Sequence, residues 1–229
     1  MAEYMLMVLE DEAAHAALSG SAVAELIERR AAFEDELRRA GTLKHSGQLR
    51  PSKEGRRIHR REVKRGPFAE AGRALGAYVW VETPTVEDAA KVAAAYPTLD
   101  VDHVDVRPLM KGKPPDGTLE KAGKIFACAV LGNAPTEDAW VEVMDRIDAA
   151  TAEKFPRDML LGGVRLQPPR TGRRVERRAM FDGPFLESKE VIGGIFFLRM
   201  ASIEDAVRWA SETGFVVHGA LEVRERWRT

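Results

Sequence analysis

The chain has 229 residues, of which 45% are hydrophobic and 31% charged, and its formal net charge is −1. That length holds one large domain or two of about 110 residues with a real core, and the composition excludes a disordered chain. Near-neutrality removes any global electrostatic reason to expect nucleic acid or an anionic membrane as partner. The elements follow in chain order. Tyr4 to Leu9 is an apolar strand with acids directly after it and no basic region before it, so it predicts a first strand rather than a signal peptide. Ser21 to Ala40 places Val23, Leu26, Ile27, Phe33 and Leu37 at helical spacing, and Gly41 supplies a stop. Extended segments are predicted at Leu43 to Leu49 and Arg56 to Lys64, then a Gly66-Pro67-Phe68 turn and a strong strand, Ala77 to Glu82. Thr85 caps a helix over Val86 to Ala95, which ends before Pro97. Val101 to Arg107 alternates as a last strand. Beyond the linker Lys111 to Gly117, the same order is predicted again. It runs as strand Lys124 to Val130, helix Thr136 to Phe155, strands near Met159 to Leu166 and Arg173 to Phe181, strand Ile195 to Met200, helix Ile203 to Ser211 and strand Phe215 to Arg224.

This recurrence is a repeat at a shift of 117 residues. Gly66-Pro67-Phe68 falls on Gly183-Pro184-Phe185, Gly55-Arg56-Arg57 on Gly172-Arg173-Arg174, Arg60-Arg61 on Arg177-Arg178, Gly76 on Gly193, Glu87-Asp88-Ala89 on Glu204-Asp205-Ala206 and Val106-Arg107 on Val223-Arg224. The register is read as gapless. The matches include Gly and Pro, which common composition does not explain. Two copies are therefore expected, at 1–110 and 123–229, around a linker at 111–122. A β-α-β-β-α-β order is ferredoxin-like. Tyr78 to Val81 and Ile195 to Leu198 are apolar on both faces, which implies burial on both sides. The partner at high effective concentration is the other copy. The expected fold is α+β: two ferredoxin-like repeats forming an intramolecular pseudo-dimeric α+β barrel.

The block Leu166-Gln167-Pro168, Asp182-Gly183-Pro184-Phe185, Glu187-Ser188-Lys189-Glu190 and Ala220 to Arg224, echoed in part by the first copy, resembles the YCII-related family, in particular its DGPF branch. The resemblance implies paired α+β units and names no single activity. Its shorter members imply a His on the first helix with a nearby Asp as an acid/base pair. Aligning Gly41 with the glycine that ends that helix puts Arg30 at the His position. Arg65 stands where the motif's Asp would be in the first copy, so only Asp182 keeps that carboxylate. DGPF-like proteins encoded beside alternative sigma factors imply a transcription-associated partner as the non-catalytic alternative.

The candidate catalytic residues are Asp182 at the turn, Glu187 just beyond it, and His45 at the start of the second strand. Candidate ligand-binding residues are Arg30, with His103 and His218 in the last strands. A histidine of near-neutral pKa beside a carboxylate can exchange protons. The second copy is expected to supply the acids of any site, because Arg65 opposes Asp182 in sign; a structural Arg65–Asp182 pair is the alternative. No His pair has metal-ligand spacing, and no phosphate loop or dinucleotide fingerprint occurs, so no metal or cofactor is expected. The basic stretches Arg50 to Arg61 and Arg165 to Arg178 read as solvated hairpins. Cys128 lies in an apolar run that makes it a buried, inert thiol. The functional expectation is a small cofactor-independent enzyme performing lyase- or isomerase-type acid/base chemistry on a polar small molecule. Its alternative is a ligand-binding or regulatory module. A buried polar cluster with a perturbed carboxylate or His would favour the enzyme. The expected setting is cytoplasmic, as a monomer or a homodimer of pseudo-dimers, with a small-molecule ligand, no nucleic acid and no membrane.

Overall fold

A computed structural model describes residues 1–60, 62–68, 72–115, 123–132, 142, 145, 159–182, 191–212 and 219–227. Apart from Glu142 and Asp145 the predicted helix Thr136 to Phe155 lies outside them, as do the turn Gly183-Pro184-Phe185 and the opening of the last strand. The chain is α+β and its strands pair antiparallel. Its contacts divide it into two compact units, the first made of Met1–Gln48, Ala69–Leu109 and Pro169–Glu187, the second of the remaining segments.

In the first unit, β1 (Ala2–Asp11) lies between β5 (Arg73–Thr83) and β6 (His103–Lys113). Outside β5 runs β2 (Leu43–Gln48), and outside β6 runs the hairpin β9 (Arg173–Glu176) and β10 (Ala179–Asp182). One face is covered by α2 (Gly20–Arg39) and α3 (Val86–Ala95). Leu6 and Val8 of β1 and Val79 and Val81 of β5 meet Ala89, Ala90 and Ala93 of α3 there. The small residues on α3 let the helix approach the sheet closely. Gly41, with φ of 72°, ends α2 through bonds from its amide to Arg38 O and from Thr42 N to Leu37 O, the left-handed stop that its glycine predicts. Thr85 caps α3 by accepting from Asp88 N at 3.1 Å.

The second unit repeats this layout. β7 (Lys124–Gly132) lies between β11 (Val191–Met200) and β12 (Ala220–Glu225), with β8 (Leu160–Leu166) beyond β11 and the hairpin β3 (Arg56–His59) and β4 (Glu62–Arg65) beyond β12. Helix α4 (Ile203–Ser211) packs Ala206 and Ala210 on Phe126, Cys128, Leu198 and Leu221. Alternate residues on the other faces are buried as well: Trp80 and Phe197 are each 0% exposed. Burial pushes the Cys128 thiol well up from its ordinary value, in keeping with an inert thiol.

Each sheet thus takes its outer hairpin from the opposite half of the chain, so the compact units do not follow the sequential boundaries expected at 1–110 and 123–229. The exchange has a packing cause. Ile58 of β3 and Val175 of β9, related by the shift of 117, each enter the core of the unit they join. Charges then fix the register. Arg174 grips Asp105 of β6 through two bonds of 2.6 and 2.9 Å, and Arg173 reaches Glu87 of α3 at 2.8 Å. In the other unit Arg57 pairs with Glu222 of β12 at 2.9 Å, and Arg56 with Glu204 of α4 at 3.1 Å. The basic hairpins are therefore only half solvated. β4 and β10 are exposed along their length, while the arginines of β3 and β9 are clamps. The β9–β10 turn consists of Arg177 and Arg178 with φ of 45° and 66°. Both are in the left-handed region, at a cost of about 1–2 kcal/mol per residue.

The gapless repeat needs one correction. Ser46 pairs with Val79 and Gly163 with Phe196, which keeps the shift of 117 in β2 and β8. Tyr4, however, pairs with Val81, while Phe126 pairs with Leu198, a shift of 122 in the first strands. The first half therefore has five more residues between its first and second strands. Five is the length of the short helix α1 (Glu12–Ala16).

Candidate functional site

On β1, Tyr4, Leu6 and Val8 point toward the helices, and Glu10 continues that phase as a charge. Its carboxylate sits where a Cβ on Gly76 would come within 1.9 Å of Oε2, so glycine at 76 makes the room. Opposite it, α2 presents Arg30, 3% exposed, whose Nη1 lies 2.8 Å from Glu10 Oε1. Arg30 Nε donates to Pro97 O at 3.0 Å, and the guanidinium lies 5.5 Å from the Tyr96 ring centre. Its buried Nη2 has no hydrogen-bond partner among the described residues. Tyr96 donates to Glu34 at 3.0 Å, which also accepts from Ser46 Oγ at 2.6 Å. Burial pushes the Tyr96 phenol far up, so it stays a donor.

Immediately after β1, Asp11 caps α1 by accepting from the amides of Ala13 and Ala14. One turn later His15 comes back over the sheet. Its Nε2 is 2.9 Å from Asp102 Oδ2, and its Nδ1 is 4.0 Å from Glu10 Oε2. Asp102, just before β6, has no exposed side-chain surface and also accepts from Asp11 N and Leu99 N at 3.0 and 2.9 Å. Burial would raise its pKa, but the bonds from His15 and the two amides outweigh it and hold the carboxyl below its ordinary value. Burial likewise opposes the charged form of His15, yet the bond to Asp102 and the field of Glu10 push the imidazole up. The result is an ion pair of a half-buried imidazole and a buried carboxylate, adjoining the Glu10–Arg30 pair. A pocket of about 660 Å³ abuts it, with Asp102 and the loop Tyr96 to Asp100 in its wall.

Of the predicted residues, Arg30 alone belongs to this cluster. His45 lies on β2, its ring stacked 5.7 Å from Tyr78, three strand spacings or about 14 Å from β6. His103 begins β6 on the opposite face from Val104. It is 5% exposed, and burial holds its pKa down. Asp182 ends the exposed strand β10, 86% exposed, and pairs with Arg173 at 3.2 Å. That surface pair replaces the alternative partner Arg65. Glu187 and His218 lie outside the described residues. The second half is expected from the sequence to supply the acids of a site, whereas in this cluster Glu10, His15, Arg30 and Asp102 all come from the first half. Sequence reading missed Glu10, His15 and Asp102. The one available signal was a glutamate continuing the apolar phase of a strand. Among the described residues no group of three His, Cys, Asp or Glu side chains could hold a metal ion. No helix described is long and apolar enough to cross a membrane.

Residues 118–228 match the YCII-related domain. The match lies in the second half of the chain, and the cluster above lies outside the matched residues. No curated protein matches the sequence significantly. Among solved structures, a candidate chlorite dismutase has 9% identity over 100% of this chain and 96% of its own, with a TM-score of 0.42. An anthrone oxidase-like protein has 12% identity over 99% and 92%, with a TM-score of 0.45. A heme-binding protein of Thermus thermophilus has 10% identity over 99% and 92%, also with a TM-score of 0.45. Likeness at that level says nothing of function.

Proposed function

We propose that this chain is a small-molecule enzyme performing acid/base chemistry of the lyase or isomerase type, without a cofactor, on a polar organic substrate. We further propose that it arose by tandem duplication of a YCII-related domain whose halves pair as a pseudo-dimeric barrel. The observation that carries the enzymatic reading is the His15–Asp102 pair beside Glu10–Arg30, within one compact unit and next to a pocket. His15 and Asp102 perturb each other, and such a pair beside a cavity is the mark of a site tuned for proton transfer. In this reading Asp102 positions the imidazole, and His15, 18% exposed at its side chain, moves the proton. Glu10 stabilises the imidazolium, and Arg30 compensates Glu10.

The test is deuterium exchange from heavy water into a panel of small carbonyl compounds, comparing the wild type with His15→Gln. A general acid/base contributes about 10²–10⁴-fold, so exchange that survives intact in the variant removes His15 from the chemistry. A binding protein without catalysis would exchange nothing yet still retain ligand.

A further inference from the structure

We propose that the pocket beside α3 binds an organic anion, a carboxylate or phosphate monoester on an apolar body, with Arg29, Arg177 and Arg178 as its cationic grip. At about 660 Å³ the cavity is of small-ligand size. Its wall has two chemistries. Ala93, Tyr96, Val104, Val175 and Met180 provide an apolar floor, while Arg29 of α2 and the turn arginines Arg177 and Arg178 stand at its border. None of these three arginines has a hydrogen-bond or ion-pair partner among the described residues. A fourth cation, Lys91, is held by Asp88 at 2.9 Å. Two acids touch the pocket, but the Asp102 carboxylate is consumed by His15 and two amides. That leaves Asp100 as one acid against three unpaired guanidiniums, an excess suited to planar, bidentate recognition of carboxylate or phosphate.

The turn supplies an independent argument. A two-residue hairpin turn with positive φ at both positions favours Asn-Gly, yet both positions here are arginine. The first hairpin closes through a residue in the same conformation, Arg60 with φ of 56°. Backbone strain of this kind gathers at ligand clamps, and at 177–178 it stands at the rim of the cavity. This inference does not depend on catalysis by His15: an anion site would serve an enzyme or a binding protein equally.

The test titrates the full chain with phenyl phosphate, phenylacetate, inorganic phosphate and benzyl alcohol, following the backbone amides of 97–102 and 177–178 by NMR. Saturable shifts are expected with at least one of the two organic anions, at an affinity about tenfold or more above that for inorganic phosphate and benzyl alcohol. Which of the two binds tighter distinguishes a phosphate from a carboxylate head. The paired change Arg177→Asn and Arg178→Gly installs the favoured turn. It should leave the melting temperature unchanged or raised while weakening the anion about tenfold or more. Arg29→Gln, remote from the turn, should weaken it in the same direction. The proposal is overturned if neither organic anion shifts those amides up to about 10 mM, if benzyl alcohol binds as well, or if both variants bind as the wild type does. Loss of anion binding in a chain that still exchanges deuterium would leave the acid/base reading standing alone.

Discussion

Asp102→Asn removes one charge from a side chain with no exposed surface, at nearly constant volume. The carboxylate accepts three hydrogen bonds, from His15 Nε2 and from the amides of Asp11 and Leu99. An asparagine can present one oxygen to this set, so its amide nitrogen must face a donor. Hydrogen bonds to a charged group are worth about 1.5–3 kcal/mol each. With at least one lost outright and the others weakened, the expected cost is about 3 kcal/mol, or about 6–12 °C in melting temperature for a chain of this size. The pH dependence gives the sharper signature. The folded pKa of Asp102 is lowered, so its contribution is present above the unfolded value near 3.8 and lost as pH falls through the folded one. The folded pKa of His15 is raised, so its contribution is full below the unfolded value near 6.5 and lost as pH rises through the folded one. Both hold together between about pH 4 and 6.5. Urea denaturation of wild type and variant across pH 3 to 9 should show the largest difference in that window and a smaller one on either side. NMR titration of His15 should show its pKa fall in the variant, though not wholly to the free value, since Glu10 remains. A stability difference independent of pH, or a His15 pKa unmoved by the substitution, would refute the ion-pair reasoning.

Arg57→Ala should destabilise the chain by about 3 kcal/mol in urea denaturation, because it takes one guanidinium from the Glu222 carboxylate, which stays buried against Arg224 of β12. Gly66→Ala places a Cβ 1.8 Å from Ser52 O, a backbone atom that cannot swing aside, whereas Gly41→Ala meets nothing within 4 Å and costs only its left-handed φ. Thermal melts should therefore rank Gly66→Ala far below Gly41→Ala, the latter losing about 1 kcal/mol. Cys128, fully buried with its thiol pushed up, should stay unmodified by a thiol reagent in the native protein and react once the chain is unfolded.

The sequence made the local elements legible where one face of an element was decided by its own residues. The helices at Val86–Ala95 and Ile203–Ser211 come out at the predicted bounds, because a capping Thr85 or Ser202 and a stripe of alanines act within a single turn of chain. The last strand of the first half runs on to Lys113 instead of stopping at Arg107, since strand length depends on a neighbour that periodicity does not see. The hairpin exchange was not legible for the same reason. Arg57 and Arg174 are charged residues on short strands, and nothing local distinguishes a solvated guanidinium from one aimed at an acid on a strand of the other half. The site was less legible still. His15 has no metal-ligand spacing, and its partner Asp102 is 87 residues away.

The 117-residue relation separates two uses of charge. The clamps occur twice: Arg56 with Glu204 and Arg173 with Glu87, then Arg57 with Glu222 and Arg174 with Asp105. Recurrence at matched positions is what a requirement of hairpin docking demands, since each sheet needs its outer strands held in register. Among the described residues the cluster around Asp102 occurs once. Its position corresponds to Gly219, where any side chain would press on Leu131 O at 2.1 Å. By strand pairing Glu10 corresponds to Gly132, and His15 lies in the interval between the first two strands that is five residues longer in the first half. A purely architectural ion pair would be as useful in one half as in the other. Charge that is buried at Asp102 and Arg30, has no counterpart among the described residues and borders a cavity is costly to keep for packing alone, and the proposed acid/base chemistry would give it a reason to stay.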